Sequence, residues 1–148
     1  MGYCMNQMET VFTIKEENFD KCLKAIQALD PVKEHGGGVG FTDNGVATHF
    51  AWVTTERFRN AKILQEALNA WRWQPEYMNY KNCEGIGDIT NIYFEGEKLG
   101  DDQTLFQAIA PFVEADSYIQ MRGEDDSMWR WRFDGKMCYE DYPTVTWE

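Results

Sequence analysis

A short amphipathic helix followed by two strands is written three times along this chain of 148 residues, and that repetition limits the fold more than any other feature. Ala25-Ile26 with Leu29, Ala67-Leu68 with Trp71, and Ala108-Ile109 with Phe112 keep one internal spacing, and their last members recur roughly every 42 positions. Phe50/Trp52, Ile92/Phe94 and Trp131/Phe133 follow at similar distances. Each unit pairs a helix with a hairpin, and hairpins build antiparallel sheet. The expected fold is α+β: three consecutive αββ units after an N-terminal strand, forming one mainly antiparallel sheet with helices chiefly on one face. A chain of this size buries about two thirds of its extended surface, so residues 1–148 suit a single domain.

The alternation of Val11 and Thr13 with Phe12 and Ile14 predicts a first strand within 5–14. Asn18 is the expected cap of a first helix whose apolar face carries Phe19, Cys22, Leu23, Ile26 and Leu29, and which stops at Asp30-Pro31. Asn44-Gly45 predicts a hairpin turn between strands near 39–42 and 46–53. Thr54 or Thr55 caps a second helix with the stripe Phe58, Ala61, Leu64, Ala67, Leu68 and Trp71. Pro75 rules out a continuous helix, so 76–80 and 88–95 read as strands around a Gly85/Gly87 loop. Asp101-Asp102 opens a third helix that buries Leu105, Phe106, Ile109 and Val113 and is cut short by Pro111. Strands at 117–122, 128–133 and 136–139 close the chain, with Asp134-Gly135 as a tight turn and Val145 to Trp147 as a further short edge.

The balance of 25 acidic against 14 basic groups, net −11, is uneven. Residues 1–50 hold −3, residues 51–100 hold −1, and residues 101–148 hold −7. Such a field repels nucleic acid and membrane phosphates and favours cationic surfaces, including the grooves of nucleic-acid-binding proteins. Acidity also serves solubility, which is the plainer explanation for small acidic proteins as a class. The apolar stretches fall short of the roughly 20 residues that span a bilayer. The amino terminus lacks the basic patch and apolar run of a secretory signal, and Asn6 stands where myristoylation needs Ser or Thr. A cytoplasmic location is expected.

Each chemical motif has a structural competitor. Glu95, Glu97, Asp101 and Asp102 resemble a carboxylate set for Mg²⁺ or general acid-base work, but no histidine or lysine accompanies them in a recognised order, and capping and turn roles explain them more simply. The run Gly36-Gly37-Gly38-Val39-Gly40 follows a helix and opens a strand, the reverse of a phosphate loop. Trp129, Trp131 and Trp147 with Tyr139, Tyr142, Arg130 and Arg132 would suit base stacking were they not surrounded by acids; the Trp129/Trp131/Phe133 face reads as core, with the arginines paired to nearby acids. Cys4, Cys22, Cys83 and Cys138 lack metal spacing and read as reduced thiols, and His35 and His49 stand apart from each other and from any cysteine. No metal or cofactor is expected.

The segments Ile92-Tyr93-Phe94-Glu95-Gly96-Glu97-Lys98-Leu99-Gly100-Asp101-Asp102, Ile109-Ala110-Pro111, Gly123-Glu124-Asp125 and Trp129-Arg130-Trp131-Arg132-Phe133-Asp134-Gly135 carry a resemblance. Together, with the start Met1 to Met5 and Ala70 to Trp73 more loosely, they resemble small uncharacterised acidic proteins of bacterial phages and prophages. The resemblance implies a mobile-element accessory protein, a setting where inhibitors of host defence are frequent. It supplies no activity.

The expected function is therefore a non-catalytic acidic protein that inhibits a basic, nucleic-acid-binding host-defence protein, as an anti-CRISPR-like factor or nucleic-acid mimic. Glu124, Asp125, Asp126, Asp134, Glu140 and Asp141 are the expected partner-binding residues, with a basic host protein as partner, no direct nucleic acid, no membrane and an open oligomeric state. A sequestering binder of a nucleotide signal or other small molecule is the alternative, and a metal-dependent hydrolase using Glu95 to Asp102 the third.

Overall fold

The computed structural model describes residues 2–31, 41–43 and 46–147, the short strands within 41–49 by their backbone. Its elements are β1 Met5–Val11, α1 Phe19–Gln27, β2 Phe41–Asp43, β3 Val46–His49, α2 Thr55–Arg59, α3 Leu64–Ala70, β4 Trp73–Lys81, β5 Glu84–Phe94, α4 Asp102–Ile109, β6 Tyr118–Gly123, β7 Met128–Phe133 and β8 Cys138–Asp141. Single 3-10 turns precede α1 and follow α4. The fold is α+β, with an N-terminal strand followed by three helix-plus-hairpin units. The Gly36 to Gly40 run, His35, the Asn44-Gly45 turn and the His49 side chain lie outside what the structure describes.

Among the described residues all ladders are antiparallel: β1-β6-β7-β8, β4-β5 and β2-β3. The expected single sheet is thus divided, and Gln7 explains how. β1 is irregular between Gln7 and Thr10. It runs beside β5, with Met5 N donating to Glu97 O (2.9 Å) just past the end of β5, and with Ile14, beyond the end of β1, joined to the middle of β5 by the reciprocal pair Ile14 N to Ile89 O (3.0 Å) and Ile89 N to Ile14 O (2.9 Å). Between those points the Gln7 amide stands in for the missing backbone, donating Nε2 to Ile92 O and accepting from Phe94 N, both at 2.7 Å. Six strands therefore lie side by side in the order β4-β5-β1-β6-β7-β8, with a side chain completing the seam that backbone alone would otherwise fill.

The helices form one layer. Helix α1 packs against α2, α3 and α4, while α3 reaches β4 and α4 reaches β8. Cys22, Leu23, Ile26 and Leu29 are buried as their helical spacing requires. Asn18 does precede α1, but it makes no side-chain capping bond and continues the 3-10 turn. The second helix is two. Its stripe from Phe58 to Trp71 is wholly buried, yet the chain leaves helical form after Arg59 and restarts at Leu64, where Glu66 Oε1 accepts from Lys62 N (2.9 Å) and Ile63 N (3.2 Å). A Glu at the third helical position that reaches back in this way sets a new helix start.

The β4-β5 turn also departs from expectation. Asn82 and Cys83, with φ of +52° and +68°, make a two-residue turn of the kind that matches strand twist, and Gly85 and Gly87 fall inside β5. Gly85 is needed there because the Tyr77 ring lies where its Cβ would be. At the carboxyl end, residues 142–147 form no strand, and Val145 and Trp147 stand exposed.

Two aromatic clusters share the core. Trp71, Phe50 and Phe58 pack with centroids 4.9–6.2 Å apart beneath the helices. Trp73 joins Phe94, Phe106 and Trp131 on the sheet. Arg72 stands between these two fully buried tryptophans with φ +72°, at the helix-terminating position where glycine is usual. Its guanidinium meets Asp102, at the start of α4, which is 0 % exposed.

Candidate interaction surface

The acids of the carboxyl-terminal third take their places from hairpin turns, because antiparallel strands must reverse and turn carboxylates accept the backbone N–H groups that reversal leaves open. Just beyond β6, Glu124 Oε1 accepts from Cys4 N (2.8 Å), while Glu124 N donates to Cys4 O (2.9 Å). Asp125 Oδ1 accepts from the Tyr3 hydroxyl and from Ser127 N (3.1 Å). The Tyr3 bond and then the Ser127 N–H hold the Asp125 carboxyl below its ordinary range, and the same bond pushes the Tyr3 phenol up. Asp126 turns the chain at φ +67° and pairs with Arg122 at 2.7 Å.

Asp134 lies at the far end of β7, about 17 Å away along a six-residue strand. It accepts from Met137 N (2.7 Å) and Lys136 N (2.9 Å), and these two donors depress its carboxyl. Glu140 accepts from the Tyr142 hydroxyl (2.7 Å), and Asp141 pairs with Arg132 (2.5 Å). The six predicted contact residues are therefore not one patch. Asp126 and Asp141 are compensated by the chain's own arginines, and Asp134 faces another end of the molecule. Glu124 and Asp125 are exposed and accept hydrogen bonds from neutral N–H and O–H donors.

The fold adds a residue that was not among the six. Exposed Glu97 belongs to the β5-α4 loop, and Glu97 and Glu124 both act on the Lys98 ammonium, which is held above its ordinary value chiefly by its bond to the Cys4 sulfur. Glu97, Glu124 and Asp125 thus border one end of the sheet, around the first residues of β1. No local pattern joins residues so far apart in sequence; the Cys4–Lys98 strand bridge and the bonds of Tyr3 and Cys4 to the Glu124 turn do.

The carboxylates from Glu95 to Asp102 do not converge. Glu95 and Glu97 are exposed, Asp101 Oδ2 accepts from Ala51 N (2.7 Å), and Asp102 is enclosed. Among the described residues, no group of three or more His, Cys, Asp or Glu is placed to hold a metal ion. Asp102 accepts from Arg72 Nη2 (3.0 and 3.1 Å), Trp73 Nε1 (2.9 Å) and Gly100 N (2.9 Å). Burial pushes its carboxyl up, against the pull of those donors. Arg72 also donates to Lys98 O (2.5 Å) and lies over Phe94. This cluster is a structural joint between two units.

Trp129, Trp131 and Phe133 are buried, as expected of a core face, and Arg130 and Arg132 project from the other side of β7. Arg132 pairs with an acid, whereas among the described residues no carboxylate pairs with Arg130. Its Nε donates to Gln120 (2.9 Å) and its guanidinium lies 4.3 Å from the Tyr118 ring centre. Arg130, Gln120, Met128, Asp141 and Tyr142 line a cleft of about 380 Å³ where β8 ends and the chain turns away at Pro143. Cys22 and Cys138 are buried thiols, and burial pushes Cys138 up to about 12.

Comparisons with protein-family models, curated proteins and solved structures found no match. Among the described residues no helix is long and apolar enough to cross a membrane.

Proposed function

We propose that this protein is a non-catalytic binding protein of a mobile element, acting in the cytoplasm, that uses Glu97, Glu124 and Asp125 to occupy a basic groove of a nucleic-acid-binding host-defence protein and so inhibits it. The observation that carries this reading is that Glu124 and Asp125 are exposed yet already fixed by Cys4 N, Ser127 N and Tyr3. Preset carboxylates give up little rotamer freedom on meeting a guanidinium, so more of the interaction appears as affinity. The net charge of −11 would speed the encounter.

The test is binding to bacterial nucleic-acid-binding proteins captured at low salt, followed by assay of the purified partner's activity. Glu97→Gln, Glu124→Gln and Asp125→Asn together remove charge while keeping the hydrogen-bond acceptors. They are expected to weaken inhibition by about tenfold or more, whereas Asp134→Asn leaves it unchanged. Equal loss from both, or no loss from the triple change, overturns the localised patch.

A second reading rests on the Arg130 cleft. Its volume is within the range of small-ligand sites, and Arg130 offers a guanidinium unclaimed by a carboxylate among the described residues. A phosphate-bearing nucleotide fits that chemistry. A thermal shift with cyclic or adenine nucleotides, abolished by Arg130→Gln, would support sequestration of a small signal; no shift at millimolar ligand would dismiss it.

A further inference from the structure

Cys4 and Lys98 face each other across an antiparallel bridge. The backbone bonds on either side, Met5 N to Glu97 O (2.9 Å) and Leu99 N to Tyr3 O (2.7 Å), make it the close type of pair, in which opposed Cα atoms lie about 4.5 Å apart and side chains leave the same face. Gly2 lies along the lysine stem, where a Cβ would be 3.4 Å from Lys98 Cδ. The Nζ reaches Cys4 Sγ at 2.9 Å. Both side chains are half-buried, while Cys22 and Cys138 are buried and Cys83 is exposed at the β4-β5 turn.

We propose that Cys4 and Lys98 form a peroxide-sensitive modification site that closes into a sulfur–nitrogen crosslink. The thiolate is the form of cysteine that attacks electrophiles, and a neighbouring cation supports it. With hydrogen peroxide as oxidant, the Cys4 sulfur lone pair takes one peroxide oxygen and the O–O bond breaks. The Lys98 ammonium gives its proton to the departing hydroxide. The products are a sulfenic acid, a water and a neutral amine beside the oxidised sulfur. The amine lone pair then attacks that sulfur, the S–N bond forms, the S–O bond breaks, and hydroxide leaves with an amine proton as a second water. One peroxide is consumed, sulfur is oxidised, and the product is a sulfenamide that excess thiol reduces again. Sulfenic acids condense in this way with a backbone nitrogen, and the Lys98 amine, held 2.9 Å from the sulfur, offers a lone pair for the same displacement. The proton that leaves the lysine in the first step is what makes it a nucleophile for the second. The crosslink would tie the start of β1 to the β5-α4 loop, at the foot of the Glu124 turn.

The test is graded peroxide treatment of the full chain, thiol blocking after unfolding, and peptide mass mapping. The expected product joins the Cys4 and Lys98 peptides with two hydrogens lost, returns to starting mass with dithiothreitol, and persists in Cys83→Ser. Cys4 should be consumed about ten times faster than Cys83 in the same molecule. Lys98→Met keeps the stem, and should abolish the crosslink, slow Cys4 oxidation and leave a sulfenic acid that dimedone traps; an unchanged melting temperature verifies its fold. Cys4 reacting no faster than Cys83, oxygen retained between sulfur and nitrogen, or unchanged oxidation in Lys98→Met would each overturn the proposal.

Discussion

Replacing Arg72 with Met isolates the joint between the second and third units. Met accepts the left-handed backbone no better and no worse than Arg and keeps an apolar stem, so the change removes the guanidinium with its contact over Phe94 and its bond to Lys98 O. The Asp102 carboxylate, 0 % exposed, would keep the Trp73 and Gly100 donors and lose its counter-charge, whose side chain is only 15 % exposed. Breaking a buried pair from one side costs about 3–5 kcal/mol, a large part of the roughly 5–15 kcal/mol that a domain holds. With a urea slope of about 2 kcal/mol/M, the midpoint should fall by roughly 2 M, read by tryptophan fluorescence. The loss should also depend on pH in a stated sense. Burial already raises the Asp102 carboxyl, and removing Arg72 takes away a cause that lowered it. A carboxyl raised in the folded state contributes stability that is full below its unfolded value and lost as pH rises through the folded one. The gap between the parent and Arg72→Met should therefore widen as pH rises above the ordinary carboxylate range. Adding Asp102→Asn to the Met variant should recover more than half of the loss above that range. A gap below about 1 kcal/mol, the scale of an exposed pair, or one that does not change with pH, would refute the assignment of a buried, charge-compensated joint.

Gln7→Leu should cost about 1–3 kcal/mol by leaving Ile92 O and Phe94 N without the side-chain amide that joins β1 to β5, and hydrogen exchange should speed up selectively at the Phe94 amide. Asp125 and Asp134 are held below the ordinary carboxylate range, so their contribution is present above about pH 4 and lost as pH falls further; the double change to Asn should flatten the decline of melting temperature below that pH. Trp147, 93 % exposed, should be replaceable by Ala within about 0.5 kcal/mol in urea unfolding.

The parts of the fold that were legible in sequence are those decided by periodicity. The Phe58 to Trp71 stripe identifies a buried face because helical spacing is local, and the Trp129/Trp131/Phe133 alternation identifies the inner face of β7 for the same reason. The helix restart at Leu64 escapes a reading of apolar spacing alone, because the stripe runs on across the break; the distance of Glu66 from Lys62 and Ile63 is the usable capping signal. The glycines that predict the β4-β5 turn lie inside β5, because Asn82 and Cys83 accept the left-handed conformation at the turn and Gly85 serves the Tyr77 ring instead. Nothing local announces that Gln7 would replace a backbone bond.

The candidate surface is harder to read because charge counted along the chain treats all carboxylates alike, whereas folding gives each one different work. Asp102, at the start of α4, is interior, while Asp126 and Asp141 are matched by Arg122 and Arg132. What distinguishes Glu124 and Asp125 is that their partners are mostly neutral N–H and O–H donors, which orient a carboxylate without cancelling it. A net charge of −11 therefore says less about a binding face than the kind of donor each acid has found. Acids held by arginine lose most of their outward field, and acids held by backbone keep it. That difference, more than their number, is why charge removal at Glu124 and Asp125 should reach a cationic partner while the same change at Asp126 or Asp141 should mainly free an arginine.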